Sequence, residues 1–109
     1  MPTNYKVLGQ SNPAATTATT LYTVPSATQA IVSTITVTNQ TATAGTYRIA
    51  VRVAGAALAA NQYLAYDVSL PGNATDTLTL GVTLGATDVI TVYASAATFS
   101  FNAFGSELS

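Results

Sequence analysis

The sequence predicts an all-β chain, folded as a single-domain antiparallel β-sandwich of Greek-key or jelly-roll type with about eight strands. The first observation behind this is that apolar residues recur with period two along nearly the whole chain. Secondly, the residues that carry the period are β-branched or aromatic and suit a pleated, half-buried surface. Finally, the patterned runs are spaced about ten residues apart and are separated by Gly, Pro and Asn turn chemistry rather than by helical stretches. A barrel is the nearest alternative. At 109 residues the chain is long enough for one core, so residues 1–109 are expected to make one domain.

Tyr5 to Leu8 and Thr20 to Val24 are short candidate strands. Ile31 to Thr38 places Ile35 and Val37 inward and Thr34, Thr36 and Thr38 outward. Thr46 to Val53 alternates cleanly, with Tyr47, Ile49, Val51 and Val53 on one face and Thr46, Arg48, Ala50 and Arg52 on the other. The alanine-rich stretch 54–60 includes a glycine and is too short to hold a helix alone, so it reads as a loop containing at most a turn. Tyr63 to Leu70 turns Leu64, Tyr66, Val68 and Leu70 inward. Pro71-Gly72 suits the centre of a type II turn joining that strand as a hairpin to Thr77 to Leu84, where Leu78, Leu80, Val82 and Leu84 share a face. Gly81 and Gly85 mark a bulge and a turn. Asp88 to Ala94 is apolar on both faces, as a central strand is, and Thr98 to Phe104 sets Phe99 and Phe101 on one side.

Charge is scarce: 6% of residues are charged, against about 25% in an ordinary soluble domain. Polarity comes instead from hydroxyls and amides, since 20 residues are Thr and another 20 are Ala. With a formal net charge of -1 there is no basic stripe for a phosphate backbone, so no nucleic acid is expected as a partner. No run approaches the roughly 20 apolar residues that a spanning helix needs, and no membrane association is expected. The first residues, Met1-Pro2-Thr3-Asn4-Tyr5-Lys6, lack the features of a secretory signal, which points to synthesis in a cytoplasm.

The absence of His and Cys removes imidazole bases, thiolate nucleophiles and the usual zinc and haem ligands. Asp67, Asp76, Asp88 and Glu107 read as solvated turn and edge charges rather than a catalytic pair, and no spacing matches a calcium loop. No enzyme, cofactor or metal is expected. Asn39-Gln40-Thr41 and Asn73-Ala74-Thr75 match the glycosylation pattern by coincidence in a Thr-rich chain. Thr34-Thr36-Thr38 and Thr75-Thr77-Thr79 invite an ice-binding or adhesive reading, but the repeat that would extend those rows is missing, and Thr is common on strands. Tyr22, Tyr63 and Tyr93 suit stacking on sugars, anchoring an interface, or packing under a sheet rim. Arg48 and Arg52 lie four residues apart on one strand face, placed to pair with a neighbouring subunit's carboxylate or main chain. Together with Tyr63 they form the candidate partner interface.

A free-standing β domain guards its sheet edges with Lys, inward charge, bulges or closure. This chain has a single lysine, Lys6, so either it closes well or its edges and Ala/Thr faces are covered by partners. The strings Asn4 to Gln10, Leu21 to Pro25, Tyr47 to Arg52, Asp88 to Tyr93 and Phe101 to Glu107 resemble small virion structural proteins of tailed bacteriophages, cyanophages especially. The resemblance spans nearly the whole chain, rests on strand and turn patterns, and carries over no catalytic residue. It implies a β-rich structural protein of the virion, made in the host bacterial cytoplasm. The leading expectation is a capsid decoration or cement protein bridging major capsid subunits as a homo-oligomer, with a trimer expected by analogy with similar proteins. The alternatives are a tail, baseplate or fibre component and a carbohydrate-binding module.

Overall fold

A computed structural model describes residues 3–108. Met1 and Pro2, which open the segment expected to lack a secretory signal, and Ser109 lie outside the described residues. Eight strands follow in order: β1 (Thr3–Ser11), β2 (Thr19–Thr23), β3 (Gln29–Asn39), β4 (Gly45–Arg52), β5 (Tyr63–Leu70), β6 (Thr75–Leu84), β7 (Val89–Ala94) and β8 (Phe99–Leu108). The alanine-rich stretch holds no helix of α type; short 3-10 turns, Val53–Gly55 and Ala60–Gln62, flank it.

The strands form two four-stranded antiparallel sheets, ordered β1-β8-β3-β6 and β2-β7-β4-β5. This is the interleaved order of a jelly roll. Only β4 and β5 are consecutive strands of one sheet; every other connection carries the chain across to the opposite sheet. The expected β5–β6 hairpin therefore does not form: the two strands belong to different sheets, and the 71–74 segment is a crossover. Its left-handed residue is Asn73, with φ 56, whereas a type II turn centred on Pro71-Gly72 would have put that conformation on Gly72.

The inner faces meet in one core. Tyr47 packs against Phe99 and Phe101 with ring centroids 6.5 and 6.1 Å apart, and Ile35, Val37, Ile49, Leu70, Ile90 and Val92 complete the layer. Each such large side chain contributes about 1.5–3 kcal/mol by leaving water. β7 is buried along almost its whole length, as its two apolar faces require, between β2 and β4. Asn39 is a polar residue in apolar company. Fully buried, it donates to Thr43 O at 2.8 Å and accepts from Thr41 N and Thr98 Oγ1, tying together loops at one end of the sandwich.

Register shifts break the alternation where the sequence pattern runs on. β1 carries an extra residue at Leu8, β2 at Leu21, and β3 at Ser33. β6 carries its extra residue at Leu80-Gly81, where Gly81 takes φ 63. β5 shifts twice, near Leu64 and again at Tyr66-Asp67, where Asp67 takes φ 51. Consequently Leu64, Tyr66 and Leu80, inward by simple alternation, are exposed. Val53, expected to continue the inward face of β4, lies beyond the strand in a 3-10 turn and is exposed as well. At Gly9 the edges of the two sheets approach so closely that a Cβ would lie 2.1 Å from Leu21 O. Among the described residues no helix is long and apolar enough to cross a membrane.

Candidate functional site

The four carboxylates come first, because any catalytic reading would need them. All four have partners within the chain: Asp67 on the edge strand β5 and Asp88 in a turn lie where turn and edge charges were expected, whereas Glu107 is buried. Glu107 lies on the inner face of β8, buried, where it accepts from the Tyr22 phenol and pairs with Lys6 Nζ at 2.9 Å. Asp76 accepts from Tyr47 Oη at 2.8 Å. Asp88 organises a turn by accepting from Gly85 N and Ala54 N, both at 2.8 Å. Asp67 pairs with Arg48. The tyrosine bonds span the sandwich, Tyr22 of β2 reaching β8 and Tyr47 of β4 reaching β6, so each clamps one sheet to the other. Burial, and then the carboxylate it faces, pushes each of these phenols well above its ordinary value. The Tyr22 hydrogen bond, and then that of Lys6, holds the Glu107 carboxyl below the usual range. Among the described residues no three acidic side chains gather to hold a metal ion.

The predicted interface residues Arg48, Arg52 and Tyr63 do share the outer face of the β2-β7-β4-β5 sheet, because β4 and the start of β5 are paired neighbours there. Both guanidinium groups, however, are engaged within the chain. Arg52 donates from Nε to Ala56 O at 2.7 Å and from Nη2 to Gly55 O at 3.0 Å, fastening the 53–62 loop to the sheet. Ala50 and Thr91, outward by register, are nonetheless buried. Arg48 donates to Asp67 from Nε at 2.6 Å and from Nη2 at 3.3 Å. Its guanidinium carbon lies 4.3 Å from the Tyr66 ring centroid and 4.2 Å from that of Tyr93, so it is held between two rings. Tyr63 meets Tyr66 edge-on at 4.8 Å. The Asp67 hydrogen bond is the main reason the guanidinium is held charged beyond its ordinary range.

Beside this cluster is a hollow of about 600 Å³ lined by Leu58, Ala59, Ala60, Tyr63 and Tyr66. It adjoins a second of about 210 Å³ whose walls include Leu58, Tyr63, Arg48, Thr91 and Tyr93. The sequence singled out Arg48, Tyr63 and Tyr93 but missed Tyr66 and Asp67 as part of the cluster. Alternation put Tyr66 inside, and only the left-handed backbone at Asp67 swings it out.

The opposite face, on β1-β8-β3-β6, has a different character. Thr34, Thr36 and Thr38 of β3 stand directly across from Thr79, Thr77 and Thr75 of β6, and the last pair is hydrogen-bonded at 3.0 Å. Next to this grid lie Tyr5, Val7, Ile31 and Phe104, exposed by 85, 48, 50 and 36%. The formal charges on these strands, Lys6, Glu107 and Asp76, are bound to inner partners. The chain matches no family model, no curated protein and no solved structure.

Proposed function

We propose that this chain is a non-enzymatic structural subunit of a bacteriophage virion, a capsid decoration protein that bridges major capsid subunits as part of a homo-oligomer. The observation that carries the reading is the outer face of β1-β8-β3-β6. Four large apolar side chains and a threonine grid lie exposed there with no free ion. Contiguous uncharged surface of this kind is costly to leave in water and marks a contact with another protein. The resemblance of its strand and turn strings to tailed-phage virion proteins supplies the setting. Binding through such a face works by area and fit rather than by ion pairs, so it persists at high salt. The interface thereby moves from Arg48 and Arg52, whose donors are engaged at home, to Tyr5, Val7, Ile31 and Phe104.

Immunogold labelling of intact particles with an antibody to this chain tests the proposal. Label spread over the shell is the expected result. Label confined to the tail would move the subunit to the tail or fibre, and particles without label would end the virion reading.

A further inference from the structure

We propose that the outer face of β1-β8-β3-β6 packs against the same face of a second copy of this chain, about a twofold axis running along the strands between β8 and β3. This rests on the reading above of that face as a protein contact within a homo-oligomer, and it names the occupant and the symmetry.

The order of large and small side chains selects the partner. Strand register sets the outward residues in rows across the sheet, and one row is Tyr5, Ser106, Ile31 and Thr83, large and small in turn from β1 to β6. A twofold turn about this axis exchanges β1 with β6 and β8 with β3, which reverses the row. Tyr5 then faces the partner's Thr83, and Ile31 faces the partner's Ser106. The next row, Val7, Phe104, Thr34 and Thr79, sets Val7 on the partner's Thr79 and Phe104 on the partner's Thr34. In the third, Gln10, Asn102, Thr36 and Thr77, each amide meets a hydroxyl, and either group can donate to the other. An axis laid across the strands instead would set the Tyr5 and Phe104 end on the Asn102 and Ser100 end, apolar against polar.

Recesses lie where this packing needs them. A hollow of about 260 Å³ is lined by Ser106 between Tyr5 and Ile31, and another of about 370 Å³ by Thr83 and Gly85 beside Ile31. Ile31 and Tyr5, 50 and 85% exposed, are the side chains that enter them from the partner. Two sheets of one sequence share one twist, which suits aligned packing at about 30°, and that tilt keeps rows matched best near the axis, where Ser106 and Ile31 lie. The formal charges of the described strands are paired inward, so two such faces do not repel each other. The slab's broad side, 45 × 27 Å, is about 1,200 Å² in projection, and covering two-thirds of it reaches the roughly 800 Å² per partner of a stable complex.

Sedimentation velocity of the full-length chain, from about 1 μM to about 1 mM and in low and high salt, tests the inference. A dimer with a micromolar or tighter Kd, little changed by salt, is expected. Ile31→Glu sets two carboxylates side by side across the axis, because the partner's Ile31 neighbours the Ser106 it faces; Kd should rise at least about a hundredfold. Ile31→Lys should do the same, and an equal mixture of the two variants should regain the dimer, which a general loss of fold would not permit. Tyr5→Ala, at a position 85% exposed, should weaken the pair at least about tenfold and is the second variant if the Ile31 changes disturb folding. The proposal is overturned if the chain stays monomeric throughout, if it forms a trimer, if the dimer survives Ile31→Glu and Tyr5→Ala, or if the two charged variants fail to pair. A monomeric chain that still labels shells would sink this inference alone; a dimer absent from particles would sink the virion reading alone.

Discussion

Glu107 shows what a chain does when it has few charges to use. It faces the inside of the sandwich, joined to Tyr22 across the sheets and to Lys6 along its own sheet. Because its folded value is depressed, it contributes stability that is present above the unfolded value, about 4.3, and is lost as pH falls through the lower folded value. Glu107→Gln keeps the volume but loses the ion pair. It should cost about 1 kcal/mol at neutral pH, and the gap from the native chain should close in acid. Urea unfolding curves at pH 7 and pH 3 measure both. Tyr22 and Tyr47 act in the opposite sense. Their raised values mean that stability is full below an ordinary phenol's value, about 10, and is lost above it. Tyr47→Phe should therefore weaken the loss of Tm between pH 9 and pH 11, as read by circular dichroism. None of these bonds shows in the sequence, because partners such as Tyr22 and Glu107 lie 85 residues apart on different sheets.

At the scale of strands, alternation was legible wherever the backbone advances evenly. Phe99 and Phe101, Ile35 and Val37, and the two-sided burial of β7 all lie where period two places them. The pattern fails at bulges, since one added residue reverses the faces of everything beyond it. Gly81 gave a visible sign; Asp67 gave none, because Asp tolerates positive φ but adopts it far less often than Gly does. The candidate cluster was therefore only half readable: Arg48, Tyr63 and Tyr93 could be seen, but Tyr66 sits beside a hidden bulge. The bulge in β6 makes a sharp contrast between two leucines of one apparent row. Leu84→Ala, in the core, should cost about 2–5 kcal/mol. Leu80→Ser, at an exposed position, should stay within about 0.5 kcal/mol, and chemical denaturation of both variants decides it. The crossing of β5 and β6 into separate sheets was also invisible, because a short turn serves a hairpin and a jelly-roll crossover alike.

Taken whole, the molecule is a slab, 45 × 27 × 19 Å, whose two broad faces do different things. One is a charge-free sheet of threonines and large apolar groups; the other holds a locked arginine among tyrosines under a fastened loop. Ile31→Glu and Phe104→Glu place a charge on the first face without touching the core. Each should leave the unfolding free energy within about 0.5 kcal/mol while abolishing incorporation into particles, as measured by mass spectrometry of purified virions. Retained incorporation would show that this face is not the contact.

The outermost strands, β1, β2, β5 and β6, each carry at least one bulge. A kinked rim offers an arriving strand no straight row of partners, which disfavours the side-by-side stacking that a flat-edged sheet would invite. With one lysine on hand, irregular backbone performs the guarding that charged side chains perform elsewhere. Bulged rims thereby leave the two broad faces, rather than the strand edges, as the surfaces open to a neighbour.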